Sequence, residues 1–471
     1  MSQNQTAILK DEARSLSTSN KLFNRNYLML FQGQFVSRLG NSVYNIAIMI
    51  WLKEMTDSGT IMGIFGAVTA LPMILMSALG GAVADRFPRK AIIVGTDIIS
   101  GLAMLVLAAT FYLDMPPLYS IAGVFIAGMT MSTMRAFFAP AINAAIPDLV
   151  PEKRIAGANS MGKFSEKISQ FFGYFFGSQL LMILGLPVLV IANGISYLLS
   201  ALSESFIKIP QRLPEKARGF AAYLKAFKSD IGEGLRYIGQ NRGLKKLLYL
   251  SIATAFFSTP IIILLIFYVR DFLKLGDQWY GYLLIDFGLG ALAGTVLYSI
   301  FNVHGAGRKI LLILFLMFEA IGYILLGRVS TAEQAMGLIF IGGVMNGFST
   351  ISIFTLMQIT TPSKIRGRVF GTLTTLSGAI APLGMALGGF MYDFFDKDIS
   401  VIYSIAGGGI MVTVILISLS SDFRRFISYQ TPEQRGHTGF SYTIKKVHKD
   451  QILEQKQRFI EEQFKKTRSQ L

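Results

Sequence analysis

Apolar runs of about twenty residues recur along nearly the whole chain, and no other feature limits its fold so strongly. A helix needs about that length to cross the ~30 Å hydrocarbon core of a bilayer. Twelve such runs can be drawn. In the first half they are Leu28–Leu52, Ile61–Ala82, Ala91–Leu113, Leu118–Phe138, Ser160–Leu184 and Pro187–Ile207. In the second they are Leu247–Phe267, Tyr280–Phe301, Ile310–Leu326, Ala335–Met357, Val369–Tyr392 and Val401–Leu419. Composition agrees: 15% of residues are charged and mean hydropathy is +0.50, where a soluble globular chain carries about 25% charged residues. The pattern predicts an all-α polytopic membrane protein, with every backbone polar group satisfied inside a helix.

Charge sorts the connections between runs. Asp85–Lys90, Pro151–Arg154, Lys208–Lys246, His304–Lys309, Ser363–Arg368 and both ends of the chain hold nearly all the Lys and Arg. The alternate connections carry Lys53, Arg270, Lys274, Arg328 and Lys397. The positive-inside rule puts the first set, and both termini, on the cytoplasmic side of a cell membrane, the bacterial inner membrane being the expected one. The net charge of +16 is then a topology signal, and nucleic acid is excluded as a partner. The polar N-terminus has no cleavable leader pattern. With no cysteine there are no disulfides, and His304, His437 and His448 lie outside the runs, so no metal site or cofactor is expected. No phosphate-binding Gly-rich loop with Lys-Ser or Lys-Thr occurs either.

The runs divide six and six around Lys208–Lys246. Residues 1–26 read as a cytoplasmic N-terminal segment, 27–207 as one six-helix bundle and 208–246 as a linker. Residues 247–420 read as a second bundle and 421–471 as a cytoplasmic tail. In the linker, Leu224, Phe227, Ile231, Leu235 and Ile238 recur at helical spacing among Lys225, Lys228 and Arg236, which describes an amphipathic helix on an anionic lipid surface. The tail segment Asp450–Arg468 reads as a charged surface helix. Matching loops repeat across the halves. Gly81-Ala-Val-Ala-Asp85-Arg86-Phe-Pro-Arg89-Lys90 follows the second run and Gly305-Ala-Gly-Arg308-Lys309 the eighth. Pro151-Glu-Lys-Arg follows the fourth and Pro362-Ser-Lys-Ile-Arg366 the tenth. Six-span halves repeated in one orientation imply a pseudo-two-fold axis along the membrane normal and a central cavity.

The 81–90 stretch resembles the signature loop of the major facilitator superfamily. Phe35–Asn41, Arg135–Pro140, Ile146–Pro151, Ala158–Ser160 and Arg366–Val369 resemble its macrolide-efflux and siderophore-exporter branch. The resemblance, over about residues 22–425, implies two pseudo-symmetric six-helix bundles and a monomer working by alternating access. It also implies a small-molecule substrate, a lipophilic drug or metabolite, exported in exchange for protons. A siderophore or lipid exporter is the alternative within the fold; a membrane-embedded enzyme or a non-transporting receptor is the alternative outside it. The resemblance further assigns Gly81, Asp85, Arg86, Arg89 and Lys90 to a conformational clamp at the start of the eleventh span, with Gly81 permitting close approach. Asp97 and Arg135 would extend that network.

Ionisable groups inside spans are costly, about 2.5–3.5 kcal/mol on insertion scales, and so mark candidate sites. Gln34, Arg38, Asn41 and Asn45 share one helical face of the first span and are expected to line the cavity. Asn41 stands where the family often has an acid, which removes one proton carrier. Asp286 and Glu319 are the coupling candidates of the second half, since a desolvated carboxyl can take up a proton near neutrality. Glu166, between Lys163 and Lys167, reads as a local surface pair. Gly173-Tyr-Phe-Phe-Gly177 lies where exporters carry a Gly- and Pro-rich motif, without the proline. The 37 Phe and 21 Met suit a re-packable apolar surface as well as lipid contact.

Overall fold

The computed structural model describes residues 22–113, 115–211, 220–301 and 303–430. The N-terminal segment to residue 21 and the tail from residue 431, with its Asp450–Arg468 helix, lie outside the described residues. All regular structure among the described residues is helical. We number the elements α1 (Arg25–Thr56), α2 (Gly59–Ala84), α3 (Arg89–Tyr112), α4 (Pro117–Leu149) and α5 (Ile155–Ser205) in the first half. The linker forms α6 (Phe220–Gln240). The second half holds α7 (Arg242–Ile263), α8 (Gln278–Phe301), α9 (Gly305–Leu326), α10 (Ala332–Thr360), α11 (Ser363–Phe394) and α12 (Ile399–Ser418). The short α13 (Ser421–Ile427) follows.

Among the described residues, ten helical stretches are long and apolar enough to cross a bilayer by length and composition. One of these, Glu152–Ser205, is 54 residues long and takes in two of the apolar runs read from sequence. Gly185 breaks α5 with φ 75 and ψ 161, a left-handed backbone that side chains resist, and Pro187 starts the second arm with its φ already fixed. The first helix is less apolar than these because Gln32, Gln34, Arg38, Asn41 and Asn45 interrupt its apolar surface. Counting α1 and both arms of α5 is consistent with the twelve spans read from sequence. Several helices outrun their apolar runs; α4 continues from Phe138 to Leu149 because helix geometry persists past the hydrocarbon. Starts are defined by side-chain oxygens of Asn24, Ser58, Asn241, Thr331 and Asp398, each accepting an N–H of the first turn.

The repeat is visible in the packing. In the first half α1 packs on α5, α2 on α4, α3 on α4 and α3 on α5. In the second, α7 packs on α11, α8 on α10, α9 on α10 and α9 on α12. The two sets correspond when each span is matched to the one six places on. The main seams between the halves are α2 with α11 and α5 with α8, and α2 also touches α7. Small residues set these seams. A Cβ on Gly63 of α2 would press the Met385 carbonyl and lie 3.1 Å from the Gly389 Cα of α11, so the backbones touch directly.

That closeness is confined to one face of the molecule. Gly59, Gly63 and Gly66 meet Gly389, Met385, Tyr392 and Ile263 near the start of α2, and Gly281 of α8 meets the Tyr174 backbone of α5. Toward the face carrying the 85–90 loop, here termed the basic face, added Cβ atoms at Gly81, Gly367, Gly371 and Gly378 would meet nothing within 4 Å. Glycine-mediated contact between the halves is therefore found at the face opposite the basic one, while the linker helix α6 packs on both α2 and α11. The close approach expected at Gly81 is absent. Its neighbour Gly80 makes one instead, against Ala136 and Phe137 of α4, within the first half.

Candidate functional site

The closed face is held by a lock that the apolar pattern gave no reason to expect. After the seventh span the helix widens into a π turn, Tyr268–Phe272, which presents Arg270 and Asp271. Lys53 of α1 reaches Asp271 at 2.8 Å and Asp57 at 3.0 Å. Arg270 pairs with Glu54 at 2.8 Å and with Asp277 at 2.6 Å. Lys397 pairs with Asp57 at 2.5 Å, and both take left-handed backbone, φ 63 and 43, in the tight turns that bring them together. The Lys397 ammonium, with Lys53 behind it, holds the Asp57 carboxyl below the usual carboxylate range. Asp57 in turn raises Lys397. Beneath the charges lie aromatic rings: Lys53 stands 5.4 Å from the Phe267 centroid, and Phe267 lies 4.8 Å from Tyr392.

Asp393 completes the lock. From the last turn of α11 its carboxylate accepts Gly59 N–H and Thr60 N–H at 2.8 Å each and the Ser58 hydroxyl at 2.6 Å. A carboxylate from the second half thus caps the first turn of α2 in the first half, where unpaired N–H groups and the positive end of the helix dipole favour an anion. Exposed ion pairs contribute about 0–1 kcal/mol each and a helix cap about 1 kcal/mol. The Lys53–Asp271 pair should weigh most, because Lys53 is 11% exposed. A lock of this size biases a two-state equilibrium and can still be undone in each cycle.

At the basic face the signature loop is not joined to the second half by Arg89. Arg89 forms an ion pair with Asp148 and donates to the Ala144 carbonyl at 2.8 Å, both on α4. Asp85 and Lys90 are exposed and Arg86 is half-buried. The start of α11 is met by the linker helix instead. Arg368 pairs with Asp230 at 2.8 Å and Glu233 at 2.6 Å, and Gly234 sits against Arg368 and Thr372. The helix read as lying on lipid thus turns one face to protein: Ile238 is buried, Phe227 and Ile231 are half-buried, and Leu235 is exposed. The side chains of Leu224 and Lys225 lie outside the described residues.

Of the expected cavity residues, Gln34 and Arg38 are brought together. Arg38 donates to Gln34 Oε1 at 2.7 Å and to the Gly162 carbonyl at 2.9 Å, which ties α1 to the first arm of α5. Asn41 is half-buried and Asn45 exposed. Glu166 pairs with Lys163 at 3.0 Å. Gly173 and Gly177 seat the first arm of α5 against Ser42 and Ile46 of α1, so close packing accounts for these glycines without a proline. The phenylalanines between them, with Phe171 and Phe172, stack along the helix and stay about 40% exposed. Phe175 meets Tyr282 of α8 at 5.8 Å, and Gln179 donates to the Tyr282 hydroxyl at 3.1 Å.

The candidate carboxylates are spread apart. Glu319 is buried and accepts from the Tyr323 hydroxyl and from Asn346 Nδ2, each at 3.0 Å. Asp286 is half-buried on α8 and faces the Phe340 backbone of α10. Asp97 is buried on α3, where it faces Ser200 and Glu204 from the second arm of α5. Arg135 is exposed. Glu204 is 1% exposed and escaped the sequence reading because it sits in the last turn of the sixth run, where a charge passes for a span end. The lock acids Glu54, Asp57, Asp271, Asp277 and Asp393 escaped for the same reason. Their one signal was that Lys53, Arg270 and Lys397 are scarce cations on a face that should lack them.

Two pseudo-symmetric six-span halves, joined chiefly along α2–α11 and α5–α8 and locked at one face, define a multi-pass membrane transporter of the major facilitator type rather than an enzyme. The family model of the transmembrane secretion effectors matches residues 17–439, and the chain belongs to that family. It is 24% identical over 392 residues to macrolide efflux protein A of Streptococcus pyogenes, covering 83% of this chain and 94% of that one. It is 25% identical over 423 residues to the enterobactin exporter EntS of Shigella boydii serotype 4, covering 86% and 94%. Among solved structures, the nucleoside transporter NupG shares the fold with a TM-score of 0.64 at 13% identity, covering 83% of this chain and 98% of that one.

Proposed function

We propose that the protein is a proton-driven exporter of a lipophilic drug or small metabolite, standing here with its cavity open to the cytoplasm. The observation that carries this is the one-sided closure: cross-half ion pairs and the Asp393 cap at one face, open glycines at the other. The positive-inside rule makes the open, basic face cytoplasmic. An exporter waiting for substrate from the cell interior rests in that state. The partly exposed Phe171–Phe176 wall suits a flat apolar substrate, and relatives named for macrolide efflux and enterobactin export support the class.

In the opposite state Asp85, Arg86 and Arg89 close the basic face on the first turn of α11, which must first be released from the linker acids Asp230 and Glu233. The α2–α11 pair would then carry reciprocal caps, Asp393 on the start of α2 in one state and Asp85 on the start of α11 in the other. Gln34, Arg38, Asn41 and Asn45 serve the cavity, while Asp286 and Glu319 serve as coupling carboxylates of the second half.

The test is flux in proteoliposomes under an imposed pH gradient, with a macrolide, a lipophilic cation and a catechol siderophore as probes. Gradient-driven accumulation of at least one is expected, and Asp85→Asn should slow turnover more than it weakens binding. Folded protein that moves none of the three would sink the exporter reading. Flux that survives Asp286→Asn and Glu319→Gln would remove those two residues from the coupling step alone.

A further inference from the structure

The described residues contain one buried carboxyl pair that no cross-half contact uses. Asp97, about two turns into α3, is 3% exposed and Glu204, in the last turn of α5, is 1% exposed, and the two side chains face one another. Among the described residues neither makes an ion pair with Lys or Arg, and both Glu204 oxygens and Asp97 Oδ2 lack a hydrogen-bond donor. Ser200 Oγ, one helical turn before Glu204 and with no exposed surface, faces Asp97. Gly33 of α1 closes the pocket; a Cβ there would lie 2.9 Å from Ser200 Oγ and 3.5 Å from Glu204 Cγ. Glu319, in contrast, already has two donors.

Two carboxylates this close in a dry interior repel each other and lack the hydration that would let both ionise. One shared proton removes the repulsion and supplies the missing hydrogen bond, and the pair then titrates as a unit. The surrounding charges set when that proton is held. Arg38 of α1 acts on Glu204 electrostatically and is shared with Glu166 on the first arm of α5. Arg38 itself is held by Gln34 on its own helix and by the Gly162 carbonyl on the first arm of α5.

We infer that Asp97 and Glu204 are a proton-binding site of the transport cycle, holding one proton between them in one state and releasing it when α1 moves Arg38 closer. This rests on the proton-driven reading above. The proton comes from water at one face and leaves to water at the other; no other co-reactant is needed.

The test pairs two readouts on the full-length protein. Infrared difference spectra over a pH titration of the purified transporter should show the carbonyl stretch of a protonated carboxyl, lost in Asp97→Asn and in Glu204→Gln. Either amide still donates to the remaining carboxyl, so both variants keep the pocket bonded, with thermal unfolding as the fold check. In proteoliposomes, gradient-driven flux should fall by about tenfold or more in each variant, while substrate-for-substrate exchange falls far less. Wild-type gradient-driven flux retained by both variants would overturn the proposal and leave the exporter reading intact. A spectral band that follows sodium instead of pH would overturn it in favour of an alkali-cation site. Wild-type exchange without any gradient-driven flux would fell the proton-driven reading itself, and with it the role of the pair in transport.

Discussion

Asp393 shows how much one side chain can decide. It ends α11, yet three donors of the α2 start depend on it: Gly59 N–H, Thr60 N–H and the Ser58 hydroxyl. Asp393→Ala should weaken closure of that face by about 1–2 kcal/mol. A cysteine placed at the seam of this cysteine-free chain would then be labelled correspondingly faster. The Asp57–Lys397 pair permits a signed pH statement. Because the Asp57 carboxyl is held low, its contribution is present above the ordinary carboxylate pKa and is lost as pH falls through the lowered value. Because Lys397 is raised, its contribution is complete below the ordinary lysine pKa and is lost as pH rises through the raised value. Between about pH 5 and about pH 9 the pair should not change. Asp57→Asn should therefore lower closure by the same factor across that range, as read by the same labelling assay. A pH-dependent factor would show that another group titrates within the lock. None of this was legible in the sequence, where Asp57, Asp393 and Glu204 look like ordinary charges at span ends. Depth in a span, unlike contact between spans, can be read from an apolar pattern. Arg38 with Gln34 and the burial of Glu319 were therefore within reach, and the pairing of Asp97 with Glu204 was not.

Among the helices, α11 divides into a packed stretch and an open one. Its Gly384, Gly388 and Gly389 press on α7 and α2, while Gly367, Gly371 and Gly378 face open space. Gly63→Val, at the packed seam, should push the α2 and α11 backbones apart and lower the unfolding midpoint or shift the equilibrium toward the other state. Gly371→Val should leave thermal unfolding in the present state nearly unchanged and slow turnover, since only closure of the basic face would bring a neighbour to it. Equal effects of the two substitutions on unfolding would contradict the one-sided packing. The linker helix belongs to the same scale. Its amphipathic spacing was readable, but Asp230, Glu233 and Gly234 point to α11, because a helix-start Arg368 offers a closer partner than lipid head groups. Element existence followed from apolar length alone. The break at Gly185 was readable from Gly-Leu-Pro, whereas the π turn at Tyr268–Phe272 carries no comparable mark.

For the whole molecule, the six-plus-six repeat was readable because the halves share loops, and the packing reproduces it pair by pair. The conformational state was not readable, since a sequence that alternates between two states must encode both. The most direct measurement is a pair of spin-label distances introduced into the cysteine-free chain. One pair, Met55 with Lys274, spans the locked face and the other, Glu152 with Lys364, spans the basic face; all four positions are exposed. Alternating access predicts opposite changes when substrate and a pH gradient are applied: the Met55–Lys274 distance lengthens as the Glu152–Lys364 distance shortens. It also predicts that Asp393→Ala moves both distances the same way without substrate. Distances that stay fixed, or that lengthen and shorten together, would contradict it.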